Sequence, residues 1–334
     1  LGEFRAEFGG VFGLIEERPT DGPDDEPGFA GSEKITDSEE LFDELNQDND
    51  ELVNPRAYLT ARLLDIFVGD WDRHVDQWRW AQFKEGDKEV WYPIPRDRDQ
   101  AFAFYDGLFP SLADKRWMVR QMEGYNKDKP DIISLTHSGR HLDRRILVRL
   151  NQDEWRAVTN EVESKLTDTA IDEAVDNLPP EIQEIESLEL THRLLARRDL
   201  LPELADQFYK YLARYVDVRL SNKNEVVEIN RLDNGDVAIT AFKRDQESGE
   251  KKPEAIVFQR RFRHGETAEV RIYLMGGDDK VDLSGKASSS ITVRVIGGPG
   301  NDQYVDGSKV SGYFLGMAPF ISHAEKKTFI YDVK

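Results

Sequence analysis

Near Val216 the spacing of apolar residues changes period, and that change sets the limits on what this chain can fold into. From residue 142 to about 216 they recur at helical spacing, with Asn151, Thr167 and Pro179-Pro180 breaking the run into several helices. Beyond it, residues 226–229, 237–242, 255–262, 269–274 and 291–296 alternate apolar with polar, punctuated by Asn-Gly, Ser-Gly and Gly-Gly pairs, the pattern of a β-rich module. A chain of 334 residues exceeds the usual size of one hydrophobic core. The expected class is therefore α+β, with units over residues 1–140, 141–216 and 217–334.

The first of these units mixes both periods. Residues 10–18 read as a buried strand running into an acidic Pro/Gly-rich loop, 19–31. Asp37 or Ser38 is placed to cap a short helix over 39–45, and Asn54 followed by Pro55 starts a second helix that Gly69 stops. Leu59, Leu63, Ile66 and Phe67 form its apolar stripe. Strands over 77–83 and 89–94 then flank Glu85-Gly86-Asp87-Lys88, a hairpin turn, with Trp78, Trp80 and Trp91 supplying the packing.

Acidic loops bracket this hairpin. Before it stands Gly69-Asp70-Trp71-Asp72-Arg73-His74-Val75-Asp76-Gln77, and after it Arg96-Asp97-Arg98-Asp99-Gln100-Ala101-Phe102. Phosphoryl transfer needs one carboxylate to orient the attacking hydroxyl and another to hold the metal that bridges the nucleotide phosphates. A hairpin between the two loops brings both to one edge. The same residues also suit a purely structural role, in which Arg73, Arg96 and Arg98 pair with Asp72, Asp97 and Asp99, and His74 hydrogen-bonds the loop.

This order of helix, acidic loop, hairpin and second acidic loop resembles the C-lobe of the protein-kinase-like superfamily, particularly the Golgi casein kinase family and the spore-coat protein H kinases. The likeness covers residues 10 to 106. Those families carry approximately Asp-Arg-His or Asp-Trp-Asp in the catalytic loop, and the metal loop of the spore-coat group resembles Asp-x-Asp-Ser-x-Phe-Gly, which Asp97-Arg98-Asp99-Gln100-Ala101-Phe102 matches closely, with Ala103 at the final glycine. The resemblance implies a phosphotransferase using ATP with Mg or Mn on an unknown phosphate acceptor. Asp72 would be the base with Arg73 beside it, and Asp97 the metal ligand, with Asp70 and Asp99 as the alternates two positions away. Gln77 falls where kinases place an Asn and the Golgi family a Glu, as a second metal ligand. Residues 11–17 would be the hinge strand, with Ile15 and Glu16 near the adenine. No Gly-rich phosphate loop and no Lys with a following helical Glu appear in the required order, so most of the N-lobe is missing and a degenerate form is equally implied.

Composition narrows the partners. Lys and Arg total 45 against 65 Asp and Glu, a net charge of −20, which disfavours nucleic acid or an anionic bilayer. The absence of cysteine removes disulfides, thiolate catalysis and cysteine zinc sites; no Gly-x-Ser-x-Gly elbow or His-Glu-x-x-His spacing occurs. No run of eighteen apolar residues exists, so membrane insertion by this segment is not expected. The start, Leu1-Gly2-Glu3-Phe4, reads as excised from a longer chain whose neighbouring domains would be its partners. Arg144, Arg145, Arg193, Arg197 and Arg198 suit contact with a phosphorylated substrate but fit surface ion pairs better.

Gly297-Gly298-Pro299-Gly300-Asn301-Asp302-Gln303-Tyr304-Val305 matches the nonapeptide calcium β-roll repeat, and a looser copy, Gly276 to Asp282, lies 21 positions earlier. Stacked turns with Asp278 and Asp302 as calcium ligands are one expectation, and acidic turns without metal the other. The phrases GLIEERP, GDWDRHVDQW and YPIPRDRDQAF, followed by GGDDKVDLSG, resemble a region of large Gram-negative surface proteins that also carry a metallophosphoesterase domain and an outer-membrane barrel. That likeness implies an extracytoplasmic location and a scaffolding role, calcium-stabilised where the turns bind the ion.

Overall fold

The computed structural model describes residues 18–22, 26–104, 123–125, 129–245, 247–313, 322–324 and 327–332. The expected hinge strand, with Ile15 and Glu16, lies outside them. Strand β1 (Lys34–Thr36) leads into helix α1 (Ser38–Gln47), whose N-cap Asp37 accepts from Glu39 N and Glu40 N. Strand β2 (Glu51–Val53) precedes helix α2 (Pro55–Val68), which Asn54 opens by accepting from Ala57 N. Gly69 closes that helix at φ 73°, a left-handed turn that sends the chain off the helix axis into the first acidic loop. Because the Asn54 side chain satisfies a donor that the helix leaves open, Asn54→Ala is expected to cost about 1 kcal/mol in chemical denaturation.

Strands β3 (Trp78–Glu85) and β4 (Lys88–Pro95) form the hairpin, in a sheet of order β1-β3-β4-β2. Helices α3 (Ile132–Thr136), α4 (Arg140–Ile146), α5 (Gln152–Lys165), α6 (Asp168–Asp176) and α7 (Pro180–Ala213) follow, with breaks where Asn151, Thr167 and Pro179-Pro180 mark them. One continuous core runs from Leu41 to Ala213 and unites the small sheet with the helices. Its largest side chains, Trp78, Trp80, Trp91 and Trp155, are all fully buried. Both stretches, 1–140 and 141–216, contribute to this core, and a smaller cluster joins Phe67 and Tyr125 to Ile171, Val175 and Leu194. None of the described helices is long and apolar enough to cross a membrane.

The change of period falls where helix α7 gives way to strand β5 (Tyr215–Arg219). After it come β6 (Glu225–Arg231), the antiparallel pair β7 (Val237–Arg244) and β8 (Lys251–Phe262), then β9 (Glu269–Tyr273), β10 (Lys280–Ala287), β11 (Thr292–Ile296), β12 (Gln303–Asp306), β13 (Lys309–Tyr313), β14 (Ser322–Ala324) and β15 (Thr328–Tyr331). Pairing gives them a solenoid logic. Strands β5, β9, β11 and β15 stack in parallel as one sheet, and β6, β10 and β12 stack in parallel as another. Each coil therefore contributes one strand to each sheet. Alternation places Val216, Val270 and Val293 in one buried ladder and Val218, Ile272 and Val295 in the next. The class is α+β.

Candidate functional site

Both acidic loops leave the same end of the hairpin. Trp78 lies opposite Pro95 in the ladder, and Arg96 N donates to Gln77 O at 2.9 Å, so residues 70–77 and 96–100 emerge side by side. The second loop is also tied to helix α2, since Phe102 N donates to Val68 O at 3.0 Å.

Arg73 fastens the pair together. Its guanidinium is fully buried beneath the hairpin, 4.6 Å from the Trp78 ring centroid. One of its terminal nitrogens donates to Arg96 O at 2.6 Å and lies 3.4 Å from Asp97 O, and the other donates to Gln77 O at 3.2 Å. It also pairs with Asp65 and Asp70, both at 3.3 Å. Asp65 gathers two further guanidiniums, Arg62 at 3.1 Å and Arg98 at 2.9 Å. Arg62 in turn reaches the buried Asp143, which accepts from Tyr58 Oη at 2.9 Å. This network holds the loops from below, and Arg73, a candidate catalytic residue, is a positioning residue within it. Arg73 and Arg98 pair with Asp65 and Asp70 where the sequence suggested Asp72, Asp97 and Asp99 as partners.

The candidate carboxylates divide into two groups. Asp70 is buried; burial outweighs the attraction of Arg73 and pushes its carboxyl up to about 6. Its Oδ1 accepts from Asp72 N at 3.2 Å, which commits this alternate to shaping the loop. Asp72 is 30% exposed, with His74 Nε2 at 3.9 Å from its Oδ2. Asp97 and Asp99 are exposed. Asp97 sits at φ 51° and Phe102 at φ 60°, so two of the four positive-φ residues other than glycine among the described residues fall in this short loop. A left-handed Phe costs on the order of 1–3 kcal/mol, which the surroundings must hold in place. Gln77 is buried, its Nε2 at 3.3 Å from His74 Nε2, so its amide belongs to the loop interior and not to the solvent-facing side where Asp97 stands.

The glycine-rich turns stack, in a register that differs from the spacing of their motifs. Lys280 pairs with Gln303, which aligns Asp278 with Asn301 and Asp279 with Asp302, 23 residues apart instead of 21. Side chains form ladders between coils. Asp278 N donates to Asn224 Oδ1 and Asn301 N to Asp278 Oδ1, both at 2.8 Å, while Asp279 N donates to Asp302 Oδ1 at 2.9 Å. Asp302 Oδ2 accepts from Tyr304 Oη at 3.0 Å. The glycines serve close approach, for a Cβ on Gly298 would stand 1.4 Å from Met275 O and one on Gly300 1.8 Å from Gly277 O. These carboxylates act as hydrogen-bond acceptors between coils, and among the described residues no three His, Asp or Glu side chains gather as a metal site.

The sequence reading missed Arg62, Asp65 and Asp143. The first two were detectable, because they sit three apart among Leu59, Leu63 and Ile66 on a helix whose interior face they share. Asp143, more than seventy residues away, left no local signal. Of the arginines read as surface ion pairs, Arg193 and Arg198 are such pairs, with Glu189 and with Asp168 and Asp199. Arg144 instead donates to Tyr215 O, Arg145 to Asn46 Oδ1, and Arg197 stacks on Tyr125. No protein-family model, curated protein or solved structure matches this chain.

Proposed function

We propose that this chain is a phosphotransferase module of atypical kinase type, taking ATP with Mg or Mn and transferring its terminal phosphoryl group to a hydroxyl acceptor. The observation that carries this reading is the buried Arg73 guanidinium, bonded to the backbone of both acidic loops, with Asp72 and Asp97 on their solvent side. Positioning of this kind is most of what a phosphoryl-transfer enzyme contributes. Asp72 would accept the acceptor's hydroxyl proton as its oxygen bonds to phosphorus and the bond from phosphorus to the departing ADP breaks. Magnesium in such sites is held by one or two carboxylates plus substrate phosphates, a demand that the exposed Asp97 and Asp99 suit without a three-ligand cage. The ion would neutralise charge on the transferred group. Gln77 and Arg73 support the loop from inside.

Thermal melting tests this. With MgATP or MnATP near saturation the melting temperature is expected to rise by several degrees, since ligand bound to the native state alone stabilises it by about 2–3 kcal/mol at a hundredfold excess over Kd. The rise should vanish in Asp97→Asn and persist in Asp72→Asn, which keeps the loop but loses the base. No nucleotide-dependent rise in the wild type would sink the reading.

A second reading has its own observation. The helical unit and the β-unit are locked by side chains that cross to backbone carbonyls: Arg149 to Val257 O at 3.0 Å, Arg260 to Val148 O at 2.5 Å and Arg144 to Tyr215 O at 2.9 Å. Such rigidity suits a scaffolding module that fixes neighbouring domains of an exported, extracytoplasmic protein. A wild type indifferent to nucleotide would favour it.

A further inference from the structure

Where the two units meet, a cavity of about 40 Å³ opens between the turn after helix α4, strand β5 and strand β8. Three guanidiniums line it: Arg145 on α4, Arg149 in the short 3-10 turn that follows, and Arg219 at the end of β5. Their recorded partners are neutral. Arg145 donates to Asn46 Oδ1 at 2.7 Å, Arg149 donates to Val257 O and lies 5.5 Å from the Phe258 ring centroid, and Arg219 lies 4.6 Å from that of Tyr273. Among the described residues none of the three has a carboxylate oxygen within salt-bridge distance.

The acids on the same wall are committed elsewhere. Asp48 pairs with Lys223 at 3.4 Å, and Glu51 accepts from Trp91 Nε1 at 2.6 Å and from Gln82. Each guanidinium carries five N–H donors, so most of the donors around the cavity are not engaged by carboxylates. Burial, and for Arg145 the neighbouring charges of Arg219 and Arg149, pull Arg145 and Arg149 down to about 10, which leaves both cationic at neutral pH. Like charges brought together at the edge of an apolar interior repel unless an anion sits among them. In a chain of net charge −20 such a concentration of cations without paired acids is a local feature and not a product of composition.

We propose that this cleft binds one small inorganic oxyanion, with phosphate as its simplest occupant, held by Arg145 and Arg149 from the helical unit and Arg219 from the β-unit. The cavity exceeds the roughly 10–15 Å³ that one water requires. Guanidinium donors suit tetrahedral oxyanions in bidentate fashion. Because the ligands come from both units, an anion here fastens one to the other. The site stands apart from the acidic loops, so it does not depend on the phosphotransferase reading.

Isothermal titration of the whole chain with sodium phosphate, against sodium chloride at matched ionic strength, tests the proposal. Saturable one-to-one binding of phosphate is expected. Arg219→Ala should weaken it about tenfold or more while leaving the circular dichroism spectrum and the phosphate-free melting temperature as they were, because this side chain is exposed at the rim. Asp97→Asn should bind phosphate as the wild type does, which separates this site from the acidic loops. Arg145→Gln should weaken binding in the same way as Arg219→Ala; should it fail to fold, the Arg219 variant carries the test alone. Heats that follow ionic strength only, or equal phosphate affinity in wild type and Arg219→Ala, would mean that the cleft holds water and would overturn the proposal.

Discussion

Arg62→Ala is expected to destabilise the helical unit by about 3–5 kcal/mol, because it removes one partner from a fully buried ion pair and leaves the other behind. Arg62 meets Asp143 through two bonds, Nε to Oδ1 at 2.8 Å and Nη2 to Oδ2 at 3.2 Å, and meets Asp65 through a third at 3.1 Å. Both carboxylates are inaccessible to water. Burial already pushes the Asp143 carboxyl upward against the pull of Arg62. Without the guanidinium, Asp143 is expected to take up a proton, so the deficit should shrink as pH falls and grow as it rises. Guanidinium denaturation followed by tryptophan fluorescence measures this directly, since Trp78, Trp80, Trp91 and Trp155 share the core concerned. Arg56→Ala, which breaks the exposed pair with Glu161, serves as the control and should cost no more than about 1 kcal/mol. An Arg62→Ala loss as small as the control's would show that the network does not support the two loops.

That network also explains which parts of this molecule its sequence reveals. Helix α2 was legible from end to end, because Asn54, Pro55 and Gly69 act on their own immediate backbone and the stripe Leu59, Leu63, Ile66 repeats within one element. The hairpin was legible for the same reason. What lay beyond reach was pairing between distant segments. Nothing near Asp143 announces that it will meet Arg62, and nothing near Tyr215 announces that β5 will lie beside β9 across an inserted hairpin. The turn motifs show the difference sharply. Their glycines and acids were visible, yet local spacing suggested a 21-residue offset, whereas register is set by ladders such as Val281 against Val227 on one side and Tyr304 on the other. Strand register belongs to the packed sheet, and a small change of it redirects every side chain in the turn.

The stability of the β-unit is expected to fall as pH rises from about 5 to about 9, and Asp279→Asn to remove much of that fall. Asp279 is fully buried, its Oδ1 accepts from Glu225 N at 2.7 Å, and its Oδ2 accepts no hydrogen bond from the described residues. Burial first, then the neighbouring carboxylates of Glu225 and Asp302, push its carboxyl up to about 8, with Arg244 pulling the other way. Glu225, also buried, is pushed up to about 7 by burial, against hydrogen bonds from Ser221 and Asn49. Unfolded Asp and Glu lose their protons near pH 4. Between there and about 8 the folded chain holds protons that the unfolded chain has released, so this contribution is complete below about pH 4 and is lost as pH climbs through 7 and 8. Asn keeps the Oδ1 acceptor for Glu225 N but carries no charge at any pH, so the variant should exceed the wild type by about 1–3 kcal/mol near pH 9 and lose that advantage near pH 5. A net charge of −20 destabilises both proteins alike as pH rises, so the difference between them isolates the buried column. Denaturation midpoints measured at both pH values decide the matter: parallel curves for the two proteins would mean that Asp279 is ionised in the folded chain throughout, with Glu225 N as its backbone donor.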